Sequence, residues 1–455
     1  MDEKDIKLPN FGVAIILIAV LVAIFSTGII GLGLGADVPL IFSLVVVALF
    51  AKFRGSDWNT IQQQVLSGVK TGLAPIVLFL FIGMLIGLWM ATGVIPTMIW
   101  IGFKLLSNAA VFLPVAVIVP ALVGSMIGSA FTTVATVGVA LMGVGTALGF
   151  SAPVVAGAIL SGAIFGDKSS PLSDSTNLAA SISETDLFAH IKNLMWTTLP
   201  ALVVSIVIFA ILGFGHTGDV SGKSAALANL LQPTWWTIVP LGMLFIMAAM
   251  KIPAIPTLLL NVAVSGVAFM FSHNATQLGD TLMNGFKTTS HNEMLQAILN
   301  RGGMLAMMPT VIIIILALSL GGLLTEQKIL SAVMEPIAKR IKTPSGVITG
   351  TLVSGIFANF MIGEQYLATI LPGQLWKDSF DRVNLSRLAL GRALEDSGTV
   401  FNYLIPWGVA GSFAGSMLGL HVWQFAPFVF FALLSPVFSL LSAWTGIGLK
   451  MNKVD

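Results

Sequence analysis

Runs of about 20 apolar residues recur along this sequence, and a helix of that length crosses the hydrocarbon core of a bilayer. They account for a composition of 56% hydrophobic and 9% charged residues over 455 positions. A soluble domain carries roughly 25% charged residues, so these runs cannot all belong to a soluble core. The sequence therefore predicts an all-α polytopic protein of the cell's inner (cytoplasmic) membrane, surrounded by the lipid bilayer. The first run, residues 11–31, is too long for a signal-peptide core and is predicted to be a retained helix.

Several function classes are excluded by the composition. The net charge of +2 provides no basic face for nucleic acid. The chain has no cysteine, which rules out disulfides and thiolate metal sites. Its histidines lack metal-ligand spacing, and neither an HExxH nor a GxSxG motif occurs. Neither an enzymatic activity nor a cofactor is expected.

The apolar pattern predicts a series of helices, some of them short for a membrane span. Their ranges are 11–31, 38–53, 71–91, 110–128, 130–147, 152–166, 187–214, 234–251, 254–272, 304–323, 345–361, 384–395, 398–420 and 423–447. The short runs 130–147, 152–166 and 384–395 are interpreted as broken helices or arms of re-entrant hairpins, which are tolerated where they line a cavity. The amphipathic stretches 56–70 and 274–301 are interpreted as interfacial helices or loops.

Residue matches at similar shifts along the chain indicate an internal repeat. The matches pair Pro39 with Pro256, Gly68 with Gly302, Phe131 with Phe360, Gly162 with Gly391 and Asp167 with Asp396. They predict two repeats, residues 36–215 and 250–445. Residues 1–35 then form a tail and first helix, 216–249 a connecting segment with a helix, and 446–455 a second tail.

The distribution of basic residues indicates that the two repeats have opposite orientations. Lys4, Lys7, Lys52 and Arg54 place the N-terminus and the end of the second helix on the cytoplasmic side. The loop 92–108 carries one basic residue and is predicted to lie outside, whereas its partner near 325–342 carries four. Opposite bias in matched loops is typical of an inverted-topology repeat transporter with broken helices or re-entrant hairpins.

A cluster of polar residues interrupts the apolar pattern between Ile164 and Ala180. It contains Asp167, Lys168, Ser173, Asp174, Thr176 and Asn177. Charges at membrane depth are costly and are functional candidates by default. Pro171 breaks the helix and frees carbonyl groups, and carboxylates, hydroxyls, amides and carbonyls are the oxygen ligands of small hard cations. Two alternatives stay open: a helix start near Asp174 that binds an anion, and a polar loop outside the membrane.

A second polar cluster lies between Leu390 and Gly408. Its candidate residues are Glu395, Asp396, Ser397, Thr399 and Asn402, with Asn359 and Glu364 upstream and Thr132 and Thr133 as first-half counterparts. We expect Asp167 and Asp396 to hold a sodium ion as repeat-related carboxylates. Arg387 and Arg392 either neutralise the acidic pair or lie at the cytoplasmic surface. The GxxxG patterns Gly83/Gly87 and Gly124/Gly128 predict close helix packing.

The stretch GDKSSPLSDSTNLAA resembles the signature GDK-x-SPLSD-(S/T)-TN of NhaC-type sodium–proton antiporters. The similarity extends from about residue 10 to 445, and Ser169 departs from the larger residue of the family pattern. The resemblance implies an ion transporter built from inverted repeats with hairpins and broken helices. It also implies a choice of substrates, because similar sequences include malate–lactate exchangers coupled to sodium and protons, and amino-acid carriers.

The leading hypothesis is the exchange of Na⁺ for H⁺, because a buried carboxylate can hold either ion but not both well. Asp167 and Asp396 are the first candidates, Asp174, Glu364 and Glu395 are further ones, and Lys168 offsets surplus negative charge. The alternative is an organic-anion exchanger or amino-acid carrier, in which Lys168 and helix N-termini face a small carboxylate. The expected partners are a sodium ion, a proton and the bilayer, and a homodimer is left open.

Overall fold

The computed structural model describes residues 7–105, 109–214, 235–288, 291, 296 and 299–449, and every regular element in them is a helix. Six of these helices are long and apolar enough to cross a membrane, and a bent pair of helices adds a seventh candidate. The prediction of an all-α polytopic membrane protein with broken helices is confirmed.

The helices are numbered here in chain order. The first ten are α1 Phe11–Phe25, α2 Asp37–Phe53, α3 Trp58–Thr71, α4 Leu73–Ala91, α5 Val94–Leu105, α6 Ala109–Ile127, α7 Ala130–Ala147, α8 Ala152–Ser169, α9 Asp174–Ile182 and α10 Leu187–Gly213. The next five are α11 Ile238–Ala249, α12 Ala254–Met270, α13 Ala275–Asn284, α14 Met304–Glu326 and α15 Ile329–Arg340. The last six are α16 Pro344–Ile362, α17 Gln365–Arg382, α18 Arg387–Leu394, α19 Val409–Leu418, α20 Val422–Phe425 and α21 Phe430–Thr445.

Several predicted boundaries were wrong. The supposed loops 92–108 and 325–342 contain α5 and α15, and α17 was not predicted. For α9, only a helix start near Asp174 was predicted, as one alternative. These helices are short or polar, so a search for long apolar runs passes over them. The predicted helix 398–420 is instead a π-helical turn and a 3₁₀ turn, a non-helical segment 405–408, and then α19. Pro406 lacks an N–H group, which explains why the helix does not continue.

The order of helices repeats along the chain. The starts of α5 to α10 and of α15 to α20 pair at a constant separation of 235 residues: 94 and 329, 109 and 344, 130 and 365, 152 and 387, 174 and 409, 187 and 422. This order supports the predicted repeats, and their inverted orientation stays a prediction. The separation differs from the 229 residues that matched Asp167 with Asp396. It places Asp167 opposite Asn402 and Asp396 opposite Ser161.

Glycines bring α6 and α8 into backbone contact. A Cβ at Gly162 would lie 2.0 Å from the Val117 carbonyl oxygen, and one at Gly166 would lie 2.7 Å from the Gly124 Cα. The close packing predicted for Gly124 is therefore confirmed. Gly128 has φ +73° and forms the turn between α6 and α7, where only glycine adopts this conformation without strain. The contact fixes the C-terminal end of α8 against α6.

The two halves share one apolar core. Phe79 of α4 stacks on Phe413 of α19 with 4.6 Å between ring centroids, and Phe131 of α7 meets the same ring edge-on at 5.0 Å. Phe165 of α8 packs edge-on against Phe431 of α21 at 5.7 Å. Helices α4, α7 and α8 of the first half therefore pack on α19 and α21 of the second half within this core.

Candidate functional site

The two broken helices meet at a buried ion pair. α8 ends at Ser169, and residues 170–173 separate it from α9. α18 continues into the π-helical turn Glu395–Thr399 before its own break. Lys168 and Asp396, one from each broken helix, form an ion pair in which both side chains are fully buried.

The Asp396 carboxylate also accepts a hydrogen bond from a neighbouring hydroxyl. Thr197 Oγ1 of α10 donates to Asp396 Oδ2 at 2.9 Å, and the Lys168 ammonium lies 5.6 Å from the ring centroid of Phe431. A buried ion pair offsets its desolvation cost only when such further contacts satisfy both groups. Asp396, predicted to hold sodium, therefore already has Lys168 as its counter-charge.

Asp167 faces the start of α7. The Ser173 hydroxyl and the Ala130 N–H lie beside its carboxylate, and Asp174 is a nearby like charge. A helix N-terminus attracts a carboxylate because its free N–H groups carry partial positive charge. Asp167 is buried, with 7% of its surface exposed.

A cavity of about 330 Å³ leads to Asp167. Its wall includes Ser129 and Thr132 at the start of α7, Tyr366 at the start of α17, and the exposed residue Lys251. The cavity therefore connects the buried carboxylate with the protein surface past the N-termini of two helices.

Thr176 and Asn177, both predicted as ion ligands, donate hydrogen bonds that stabilise the break after α8. Thr176 Oγ1 donates to the Lys168 carbonyl at 3.1 Å, and Asn177 Nδ2 donates to the Pro171 and Ser173 carbonyls at 3.0 and 2.7 Å. These bonds satisfy carbonyl groups that the interrupted helix leaves free. Ser173 Oγ lies beside Asp167 and 3.0 Å from Ser175 Oγ.

The candidate residues Thr132, Thr133 and Glu364 lie at the starts of α7 and α17. Ser129 caps α7, and the hydroxyls of Thr132 and Thr133 bond back to Ser129 at 3.2 and 2.9 Å. Glu364 caps α17, and its Oε2 accepts from the Leu367 N–H at 2.8 Å. A buried carboxylate therefore lies at the start of each helix. At α17 it is Glu364, the cap of that helix, and at α7 it is Asp167, which comes from α8.

The side-chain amides of Asn359 and Asn402 connect elements of the second half by hydrogen bonds. Asn359 Nδ2 donates to the Ser397 and Gly398 carbonyls at 2.9 and 2.6 Å, and Asn402 Nδ2 donates to Asn359 Oδ1 at 2.9 Å. Asn402 Oδ1 accepts from the Ala410 N–H at 2.8 Å, which bridges the break before α19. The Ser397 hydroxyl bonds the Ala393 carbonyl of its own helix at 2.7 Å.

Glu395 is fully buried in the π-helical turn, next to Asp396. Neither of its carboxyl oxygens has a hydrogen bond of normal geometry within the described residues, although the Thr399 hydroxyl lies beside it. The charges of Lys168 and Asp167 act on it. Glu395 thus lies within range of the charges of Lys168, Asp167 and Asp396.

The two arginines differ in role. Arg387 pairs with Asp381 and Glu184 at the end of the helix bundle, as the surface alternative predicted. Arg392 is buried and donates to the Gly448 carbonyl and to Ser442 Oγ at 3.0 and 2.8 Å. It forms no ion pair with the acidic residues within the described chain.

Some partners were not predicted from the sequence. Thr197 and Phe431 lie in apolar helices and carry no local signal. The Ala130 N–H is a backbone group, and only the hairpin turn brings it to Asp167. Gly128 and Gly363, both with positive φ and 235 residues apart, are the signal that could have located the two turns.

Comparison with known proteins gives matches over the whole chain. The sequence profile of the Na⁺/H⁺ antiporter family matches residues 4–176 and 162–447. The Na(+)/H(+) antiporter NhaC of Alkalihalophilus pseudofirmus is 34% identical, over 97% of each chain. The protein of that name from Bacillus subtilis is 36% identical, over 97% of this chain and 99% of its own. The malate-2H(+)/Na(+)-lactate antiporter of Bacillus subtilis is 31% identical, over 97% and 96%.

Proposed function

This chain belongs to the Na⁺/H⁺ antiporter family, and on that premise we propose that it exchanges Na⁺ for H⁺ across the cytoplasmic membrane with Asp167 as the exchange carboxylate. The position of Asp167 carries the proposal. It lies at the interruption of a helix, beside the Ser173 hydroxyl, on the wall of a cavity that leads to the surface.

The chemistry around Asp167 suits a small cation. A carboxylate, a hydroxyl and the carbonyl groups of an interrupted helix are oxygen donors of the kind that hard cations prefer. A proton bound within the site removes negative charge that attracts Na⁺, so the two ions compete. Competition between Na⁺ and H⁺ in a site that faces each side in turn produces exchange rather than leakage.

The Lys168–Asp396 pair links the broken helix of one half to that of the other. In this proposal Asp396 serves as the counter-charge of Lys168, and Glu364 serves as the cap of α17. Movement of one half against the other would open Asp167 to one membrane face and then to the other. The repeated helix order supports such movement.

The test is a proteoliposome assay of an imposed pH gradient with Asp167→Asn beside the wild type. Na⁺ alone is expected to dissipate the gradient with the wild type and to fail with the variant, because asparagine keeps the size but loses the ionisable oxygen. Asp378→Asn, the same change at an exposed residue of α17, is the control and should transport normally. A folded Asp167→Asn protein with wild-type exchange would refute the role of Asp167.

A second candidate function is the exchange of an organic anion coupled to Na⁺ and H⁺. A separate cavity of about 520 Å³ is lined by Lys287 and Arg301, and by Asn284, Asn300 and Ser416, and the described residues of its wall include no carboxylate. Such a lining favours a small carboxylate. In the same liposomes, a gradient released only after malate or lactate is added would support this function over exchange of Na⁺ alone.

A further inference from the structure

Glu395 is the one carboxylate in the described part of the chain that is fully buried and without a hydrogen-bond partner. An ionised carboxylate in such a place has lost its hydration, and no donor replaces it. A protonated carboxyl group does not carry this cost. The Thr399 hydroxyl, on the same π-helical turn, is available to a proton on Glu395.

The charges around Glu395 do not neutralise a negative charge on its carboxylate. Lys168 and Asp167 act on it from α8, and Asp396 acts on it from the next position. The helices α9, α16, α17 and α21 also pack on this turn. Among the described residues, none of their charged groups, including Asp174 of α9, is among the charges that act on Glu395. Because Lys168 is paired with Asp396, ionising both Asp167 and Glu395 would leave the cluster with surplus negative charge.

We propose that Glu395 carries the exchanged proton at a position separate from Asp167, which holds the sodium ion. The inference rests on the proposed function. Asp167, Glu395 and Asp396 do not converge as ligands of one ion in the described structure, and the charge of Asp167 acts on Glu395.

The coupling follows from repulsion between the two carboxylates. Na⁺ at Asp167 cancels the negative charge that opposes ionisation of Glu395, and the Glu395 proton leaves. When Na⁺ departs, the charge on Asp167 returns and Glu395 takes up a proton. The net charge of the cluster is the same in both states, and each ion weakens the binding of the other by the same factor.

The experiment counts the protons that Na⁺ binding releases. Calorimetric titration of the purified protein with NaCl, in two buffers of different ionisation enthalpy, gives this number. The wild type should release about one proton per sodium ion bound. Glu395→Gln should still bind Na⁺ and release almost none. Glu335→Gln, the same change at a partly exposed residue, should match the wild type.

Four results would overturn the inference. Full proton release by Glu395→Gln would mean that the proton leaves Asp167 itself, and the proposed function would stand. Loss of Na⁺ binding in Glu395→Gln would make Glu395 a sodium ligand. A wild type that binds no Na⁺ would remove the proposed function as well. If Glu395→Gln does not fold, Glu395→Asp replaces it, because aspartate keeps the carboxyl group. Glu395→Asp should shift the pH at which proton release is half-maximal. An unchanged midpoint would also overturn the inference.

Discussion

Lys168 is the residue on which the site depends most directly. It is fully buried in a helix of mostly apolar residues, and its ammonium group has Asp396 and the face of Phe431 as its surroundings. Breaking a buried pair leaves one uncompensated charge, which costs more than the pair itself contributes. Asp396 is therefore better understood as the partner of Lys168 than as a free ligand.

We expect Lys168→Gln to lower the free energy of unfolding by about 3–5 kcal/mol, because Asp396 is left buried without a counter-charge. The double variant Lys168→Gln/Asp396→Asn should recover most of that loss, since both groups are then neutral. Thermal unfolding of the detergent-solubilised variants measures both effects. As a control, Lys339→Gln breaks an exposed pair with Glu335 and should cost at most about 1 kcal/mol. Equal losses in the single and double variants would contradict the predicted ion-pair energetics.

At the scale of helices, the contact between α6 and α8 determines where Asp167 lies. The backbones approach so closely that the glycines leave no space for a side chain. The Asp167 N–H itself lies 3.4 Å from the position that a Cβ on Gly124 would take. A shift of α8 away from α6 would therefore move Asp167 relative to the start of α7.

Gly162→Ala should reduce stability by about 1–3 kcal/mol, because its Cβ would lie 2.0 Å from the Val117 carbonyl oxygen. The variant should also exchange ions poorly, since Asp167 follows on the same helix. Gly242→Ala is the matched control: nothing lies within 4 Å of its Cβ, and the change should stabilise α11 by up to about 1 kcal/mol. Unfolding curves for both variants test the pair, and a stable, active Gly162→Ala would contradict the packing argument.

A charged cluster outside the spans joins the turn after α9 to α17 and α18. Lys377 and Arg387 both pair with Glu184, and Arg387 also pairs with Asp381 at 2.9 Å. The hydrogen bond from Lys377, with the charges of Lys377 and Arg387, lowers the pKa of Glu184. The hydrogen bond and charge of Arg387 likewise lower the pKa of Asp381.

The lowered pKa values give this cluster a defined pH dependence. The folded protein binds these protons less readily than the unfolded chain. The stabilisation is therefore complete above the unfolded-state pKa and is lost as pH falls through the lowered folded-state value. Glu184→Gln should melt below the wild type at neutral pH, and the difference should shrink below about pH 4. Melting temperatures from pH 3 to 8 test this, with exposed Asp378→Asn as the control. A difference that grows in acid would contradict it.

At the scale of the whole molecule, the repeated order of helices and the opposite bias of basic residues in matched segments together predict that the two halves cross the membrane in opposite directions. α3 and α13 start 217 residues apart, as do α2 and α12. In an inverted repeat such matched elements lie on opposite faces of the membrane. Basic residues near α2 favour the cytoplasmic side for α3.

Because the chain has no cysteine, single-cysteine variants test this topology directly. Asn59→Cys in α3 and Thr276→Cys in α13 are equivalent, exposed and polar. A membrane-impermeant thiol reagent on intact cells should label Thr276→Cys and leave Asn59→Cys unlabelled. Both should react after permeabilisation, which controls for accessibility. Labelling of both on intact cells would exclude the inverted arrangement.

The sequence by itself determined the membrane class, the two polar clusters and the family resemblance. Apolar length and a long irregular motif are local signals, and folding does not change them. Only the tertiary structure decided how the polar residues divide their roles. Asp396 meets Lys168 across 228 residues of chain, Asn402 rather than Asp396 lies opposite Asp167, and Glu395 is left without a partner. Matches between glycines and prolines could not establish which residues of the two repeats correspond, because these residue types are common in the chain. Side-chain partners in a helical membrane protein depend on packing between helices that are distant in sequence.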